Sequence, residues 1–203
     1  MGDALPLVDL GFMRKAVSVS CGARHTCVVL AARSITADPR PDGALVCWGD
    51  NQAGQLGYGD LHPRGGKAHS MGVFLPAVSL GSSLIATFVS AGFYHTCVIS
   101  QRSTLLCFGS NTQGQLGYGD LVDRGGSSST MGDNLPALLC GKQTEGTPCS
   151  VVAVSAGWYH TCALTQERLV FCWGGNLWGQ LGLSTAASSV LSPLTYVDLG
   201  GVS

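Results

Sequence analysis

One stretch recurs three times along the chain, and its period limits what the chain can fold into. The middle copy has His95-Thr-Cys97, Cys107-Phe-Gly109, Asn111 and Gly114-Gln-Leu-Gly117, in that order. An earlier copy has His25-Thr-Cys27, Cys47-Trp-Gly49, Asn51 and Gly54-Gln-Leu-Gly57. A later one has His160-Thr-Cys162, Cys172-Trp-Gly174, Asn176 and Gly179-Gln-Leu-Gly182. Gly54, Gly114 and Gly179 mark a period of 60 and then 65 residues. A repeat this long is one supersecondary unit that buries its apolar surface by stacking on its neighbours.

Matching segments divide the chain into units of approximately 1–70, 71–130 and 131–192, with 193–203 beginning a further unit. Each unit is expected to hold four short strands and no helix. In the middle copy these are Phe74–Leu80, Ala86–Ser90, His95–Ser100 and Leu105–Gly109. These runs are rich in Val, Leu, Ile, Thr and aromatic residues, with Gly, Pro, Ser and Asn between them. Of the 203 residues, 45% are hydrophobic, enough for a core, and 11% are charged. A net charge of −1 argues against a nucleic-acid surface, which needs clustered Lys and Arg. No apolar run approaches the roughly 20 residues of a membrane span.

Met1-Gly-Asp-Ala-Leu-Pro6 matches Met71-Gly-Val-Phe-Leu-Pro76 and Met131-Gly-Asp-Asn-Leu-Pro136, so Met1 stands at a position internal to the repeat. Pro193-Leu-Thr-Tyr-Val-Asp-Leu-Gly200 likewise echoes Pro6-Leu-Val-Asp-Leu-Gly11. Neither end looks like the atypical cap that closes a repeat array, so the expectation is a fragment of a longer array. A natural three-repeat protein is the alternative.

Four-stranded units at this spacing fit the blade of a β-propeller. The combination Gly-x-x-His-Thr, then Cys-Trp-Gly-x-Asn-x-x-Gly-Gln-Leu-Gly, resembles the regulator of chromosome condensation repeat family. It is matched in all three copies, with Phe108 standing where the others have Trp48 and Trp173. The resemblance implies an all-β fold: a partial, open β-propeller of about three four-stranded antiparallel blades, an arc of a seven-bladed ring. The missing blades would come from the rest of a longer chain. Such an arc is expected to leave two raw sheet edges.

Nine cysteines is a high count for this length. Cys97 and Cys107 flank a hairpin centred on Arg102, and Cys162 and Cys172 one centred on Glu167. Facing residues of an antiparallel hairpin lie about 4.5–5.5 Å apart, within disulfide reach. Cys27 and Cys47 form the same pair across about ten extra residues, Ala31 to Asp42, whose Pro39-Arg40-Pro41 suggests an exposed loop tip. Cys140 and Cys149 could close a loop of their own. Cys21, equivalent to Ala91 and Ala156, is expected as a small buried residue. Four pairs point to an oxidising compartment.

His25, His95 and His160 occupy equivalent positions in separate blades, so they are expected to bond neighbouring groups and not to converge on a metal. No nucleophile elbow, phosphate-binding loop or calcium loop occurs, so no catalytic residue, metal or cofactor is assigned. Phe93-Tyr94 and Trp158-Tyr159 are expected to pack between blades. Asp60 with Arg64, and Asp120 with Arg124, stand at matching loop positions and are candidates for partner contact.

The leading expectation is therefore a non-enzymatic repeat module for protein–protein interaction, its loops meeting a protein partner. The resemblance also implies an alternative, guanine-nucleotide exchange on a small GTPase. A secreted, disulfide-bonded recognition propeller is the third. The compartment follows the thiols: secretory or extracellular if the pairs are oxidised, cytoplasmic or nuclear by resemblance otherwise.

Overall fold

A computed structural model describes residues 6–11, 14–31, 40–139, 150–183, 189–190 and 197–198. Three antiparallel sheets follow one another in the order of the repeats. The first holds β1 (Ala16–Cys21), β2 (His25–Leu30) and β3 (Leu45–Gly49). The second holds β4 (Ala86–Ala91), β5 (His95–Ser100) and β6 (Leu105–Gly109). The third holds β7 (Val151–Ala156), β8 (His160–Thr165), β9 (Val170–Gly175) and a short outer strand, β10 (Ser189–Val190). No α-helix occurs among the described residues, only single turns of 3-10 helix.

The register repeats from sheet to sheet. His25 faces Gly49, His95 faces Gly109 and His160 faces Gly174, and the first strand of each sheet carries an irregularity at the same place. Sheets stack face to face because successive side chains point to opposite faces. Cys27, Val29, Leu45 and Cys47 of the first sheet pack on Val89, Val98, Leu106 and Phe108 of the second. The other face of the second sheet, Cys97, Ile99, Leu105 and Cys107, packs on Val151, Val154, Ala163, Phe171 and Trp173 of the third. Both faces of β5 and β6 are thus covered, and every residue of those two strands is buried. Burying a side chain such as Phe108 stabilises the fold by about 1.5–3 kcal/mol.

The outer position of the first two sheets differs from expectation. Phe74–Leu80 is not a regular strand: Gly72–Phe74 forms a 3-10 turn. The Val78 N–H then reaches back to the Leu45 carbonyl, at the edge of the preceding sheet. Leu138 does the same to Leu105, and Val197 to Val170. A full ladder is blocked because other groups already use that edge. The Tyr58 hydroxyl accepts from Cys47 N–H and donates to Cys47 C=O, and Arg64 exchanges both backbone bonds with Gly49. Tyr118 and Arg124 repeat this at Cys107 and Gly109.

Three further expectations change. Each terminal sheet leaves part of a face uncovered, where raw strand edges were expected: Val19 is 64% exposed, while its equivalents Val89 and Val154 are 1% and 6%. Cys21 is exposed for the same reason, having no preceding sheet over it. Arg40 is buried, where the sequence suggested a loop tip. It donates to the carbonyls of Leu10, Gly72 and Leu75, while Arg14 donates to those of Arg40 and Pro41. Residues 32–39 of the insertion, and Cys140 with Cys149, lie outside the described residues.

A candidate protein-interaction face

One end of every sheet gathers the repeat motifs. The turn joining the first two strands and the exit of the third lie together there, because His25, which begins β2, faces Gly49, which ends β3. The Asn-x-x-Gly-Gln-Leu-Gly loop leaves from this end and returns to it, since Arg64 bridges back to Gly49 and Arg124 to Gly109. The hairpins joining second and third strands lie at the opposite end.

Asn and Gln shape the loop. Asn51 Oδ1 accepts from Leu56 N–H, and its Nδ2 donates to the carbonyls of Asp60 and His62. Asn111 and Asn176 accept likewise from Leu116 and Leu181. Gln55, Gln115 and Gln180 each accept from the backbone two residues earlier. Gly54, at φ +77, turns the loop and rests against the backbone of Arg124 to Gly126 in the next unit, leaving no room for a Cβ.

The charged loop residues turn inward. Arg64 makes two bonds to the Asp60 carboxylate, at 3.0 and 2.8 Å, and its guanidinium lies 3.9 Å from the Tyr58 ring centre. Arg124 repeats this with Asp120 and Tyr118. The Arg64 bonds, above all, hold the Asp60 carboxyl down at about 2, and Asp120 is lowered by the same cause. Burial raises the Tyr58 phenol to about 12, and the Tyr118 phenol rises too. These ion pairs fold the loop, and its exposed tip mixes apolar and polar groups: Leu61 with His62 in the first unit, Leu121 and Val122 with Asp123 in the second.

The three histidines do not converge. His25 and His95 each tighten a joint between sheets. His25 Nε2 lies 2.9 Å from Thr96 Oγ1, and that hydroxyl donates to the Gln55 carbonyl at 2.8 Å. His95 Nε2 meets Thr161 Oγ1 at 2.9 Å, and Thr161 donates to Gln115. Because the hydroxyl proton is used, Nε2 carries the proton and donates. The rings press against Gly22, Gly92 and Gly157, where a Cβ would overlap them, which accounts for Gly-x-x-His. Burial lowers His25 to about 4, partly offset by Asp50, and lowers His95 to about 3 with help from the neighbouring histidines. Burial lowers His160 as well. Among the described residues, no three of His, Cys, Asp and Glu gather as metal ligands.

Cys27–Cys47, Cys97–Cys107 and Cys162–Cys172 are disulfide-bonded across the second and third strands of each sheet, with Cα atoms 4.1 Å apart. Phe108 and Trp173 pack between sheets, Trp48 is half-buried against Val28 and Val46 of its own sheet, and Trp173 Nε1 also donates to the Gln115 carbonyl.

The third unit adds a surface that the sequence reading missed. Phe93 stacks on Trp158 at 4.7 Å between ring centres, as inter-blade packing requires, yet Trp158 remains 60% exposed. Tyr159, Leu177 and Trp178 continue the patch, with Trp178 86% exposed, and they line a cleft of about 570 Å³ with Gln113, His160 and Gln180. The available signal was a departure from the repeat itself. Leu177-Trp178 stands where the other copies carry Gln52-Ala53 and Thr112-Gln113.

Stacked antiparallel sheets, buried joints and loops collected at one end define an open arc of β-propeller blades. The chain belongs to the regulator of chromosome condensation (RCC1) repeat family: models of that repeat match residues 86–115, 103–164 and 151–180. It is 34% identical over 169 residues to the ultraviolet-B receptor UVR8 of Arabidopsis thaliana, covering 83% of this chain and 31% of the receptor. Human WBSCR16 superposes with a TM-score of 0.63 at 25% identity, over 93% of this chain and 42% of that one. Saccharomyces cerevisiae Prp20p, described with its binding to Gsp1p and histones, gives a TM-score of 0.61 at 20% identity, over 90% of this chain and 38% of Prp20p. The chain thus spans less than half the length of each of these proteins.

Proposed function

We propose that the chain is a non-catalytic interaction module that captures a protein partner on the loop end of its blades. The observation that carries this is the group of exposed apolar side chains there: Trp158, Tyr159, Leu177 and Trp178 around one cleft, with Leu121 and Val122 exposed on the second unit's loop. Interface hot spots favour such aromatic groups on a rigid base, and here the base is cross-linked by disulfides. Polar groups at the rim, Gln113 and Gln180, suit the edge of such a contact.

The test compares partners captured by the wild-type chain with those captured by Trp178→Ser and by Leu121→Asp. Loss of the same partner in both, with retention by a variant at the opposite hairpin end such as Arg102→Ser, supports the loop face. Equal capture by all of them refutes it. A parallel arm with a nucleotide-loaded small GTPase separates capture from exchange: binding without faster nucleotide release fits this proposal, and accelerated release overturns its non-catalytic part.

A further inference from the structure

The joints between the first and second sheets and between the second and third each close over a pair of cysteines. Cys27 and Cys47 stand opposite each other on the first sheet, Cys97 and Cys107 on the second, and each pair lies on the face that the following sheet covers. The Tyr58 hydroxyl takes both backbone groups of Cys47, and the Tyr118 hydroxyl both of Cys107, so neither pair exchanges ladder bonds across its hairpin. Facing residues of that kind approach most closely, and here their Cα atoms are 4.1 Å apart. With the sheets stacked, all four cysteines are 0% exposed. Cys27 Sγ lies 3.9 Å from Thr96 Oγ1, the hydroxyl that ties the second sheet to His25 and Gln55. Phe108 packs in the core around the first pair and Trp173 in the core around the second. Both sheets of each joint belong to the chain itself, so this burial needs no further unit.

We infer that these two disulfides are latches coupled to blade stacking: each closes on the open hairpin before the next sheet is laid over it, and each opens only when the sheets part. An attacking thiolate has to reach a sulfur, and in the closed joint neither sulfur of either pair meets solvent. Two unbonded sulfurs also take more room than a bonded pair, since non-bonded heavy atoms settle about 3.5–4.0 Å apart, and a core at native density resists that expansion. Closure is a thiol–disulfide exchange. One cysteine thiolate attacks an external disulfide, such as glutathione disulfide, and expels a thiolate. The second cysteine then attacks the mixed disulfide and expels the other. Two electrons leave the chain, and the two cysteine protons end on the expelled thiols. The chain therefore folds where such an oxidant meets it, in an oxidising compartment.

Treating the native chain with dithiothreitol, and following each cysteine by alkylation and peptide mapping, tests the latch. Both pairs should open at least about a hundredfold more slowly than in the urea-unfolded chain. Phe108→Leu should speed the opening of Cys27–Cys47 by about tenfold and leave Cys97–Cys107 nearly unchanged, and Trp173→Phe should do the reverse. Thr96→Val and Thr161→Val, which remove only the hydroxyl at each joint, should act on the same pairs in the same order. Opening as fast as in the unfolded chain overturns the inference, as does equal acceleration of both pairs by variants at one joint. The fully reduced chain, in buffer without denaturant, should alkylate at all four cysteines. Protection there would show that free thiols fit the closed joint, and the latch would fall. Chain isolated from its own cells, then unfolded and alkylated without reductant, should carry no label at Cys27, Cys47, Cys97 or Cys107. Free thiols at those positions would overturn the oxidising compartment and the latch together. None of these readouts involves partner capture, so they stand apart from the loop-end proposal.

Discussion

The middle sheet and the two outer sheets share a motif and differ in their neighbours. Cys97, Cys107, Phe108, His95 and Thr96 are fully buried between two sheets. Their equivalents at the ends are not: Trp48 and Thr26 are half-buried on the first sheet, Cys162 and His160 half-buried on the third. The loop also changes. Tyr118, Asp120 and Arg124 tie the second unit's edge, while Leu183 stands in the tyrosine position of the third. Equal sequence therefore gives unequal energetics wherever one neighbour is missing.

Chemical denaturation of matched variants would break that comparison most sharply. Phe108→Ala should cost about 3–5 kcal/mol by leaving a cavity between two sheets, and Trp48→Ala less than half of that. Equal losses would show that the joint does not set the cost.

Acid comes next. The folded chain holds His25 and His95 neutral, with pKa values lowered to about 4 and about 3, whereas the unfolded chain protonates them near 6.5. Their contribution is complete above pH 6.5 and is lost as pH falls toward those values, because the unfolded state binds more protons there. Each should lower stability by roughly 1.4 kcal/mol per pH unit in that window. Urea midpoints measured from pH 7.5 down to pH ~4.5 should fall accordingly. His95→Gln should flatten the profile more than His160→Gln does.

Tyr118→Phe removes the hydroxyl that both accepts from Cys107 N–H and donates to Cys107 C=O, and should cost about 1–2 kcal/mol. The smallest effect is one of order. Under limiting reductant Cys162–Cys172 should open before Cys97–Cys107, since Cys162 is half-buried and Cys97 fully buried. Alkylation and peptide mapping would record the sequence of opening.

Much of the fold was legible because its local signals agree with one another. Index sums across the hairpins gave the facing cysteines, and β-branched and apolar runs gave the second and third strands. The outer strand was misread. Phe74–Leu80 carries strand-like residues, but the edge it would pair with is taken by a tyrosine hydroxyl and an arginine backbone from a loop some 11 to 15 residues beyond the cysteine and glycine they bond. Asp60 and Arg64, four residues apart, looked free for a partner, yet they close on each other over Tyr58. Arg40 looked exposed beside two prolines and is buried against three carbonyls that come from distant parts of the chain.

By itself the sequence determined the unit: its period, its hairpin register, its glycine-backed histidine and its Asn–Gln loop. All of these rest on contacts within a few tens of residues. Only the tertiary structure decided which equivalent side chains are buried and which are offered to solvent. Val19 and Val89 occupy the same place in their strands, and what separates them is whether another sheet lies across that face, a matter of stacking that no local pattern encodes.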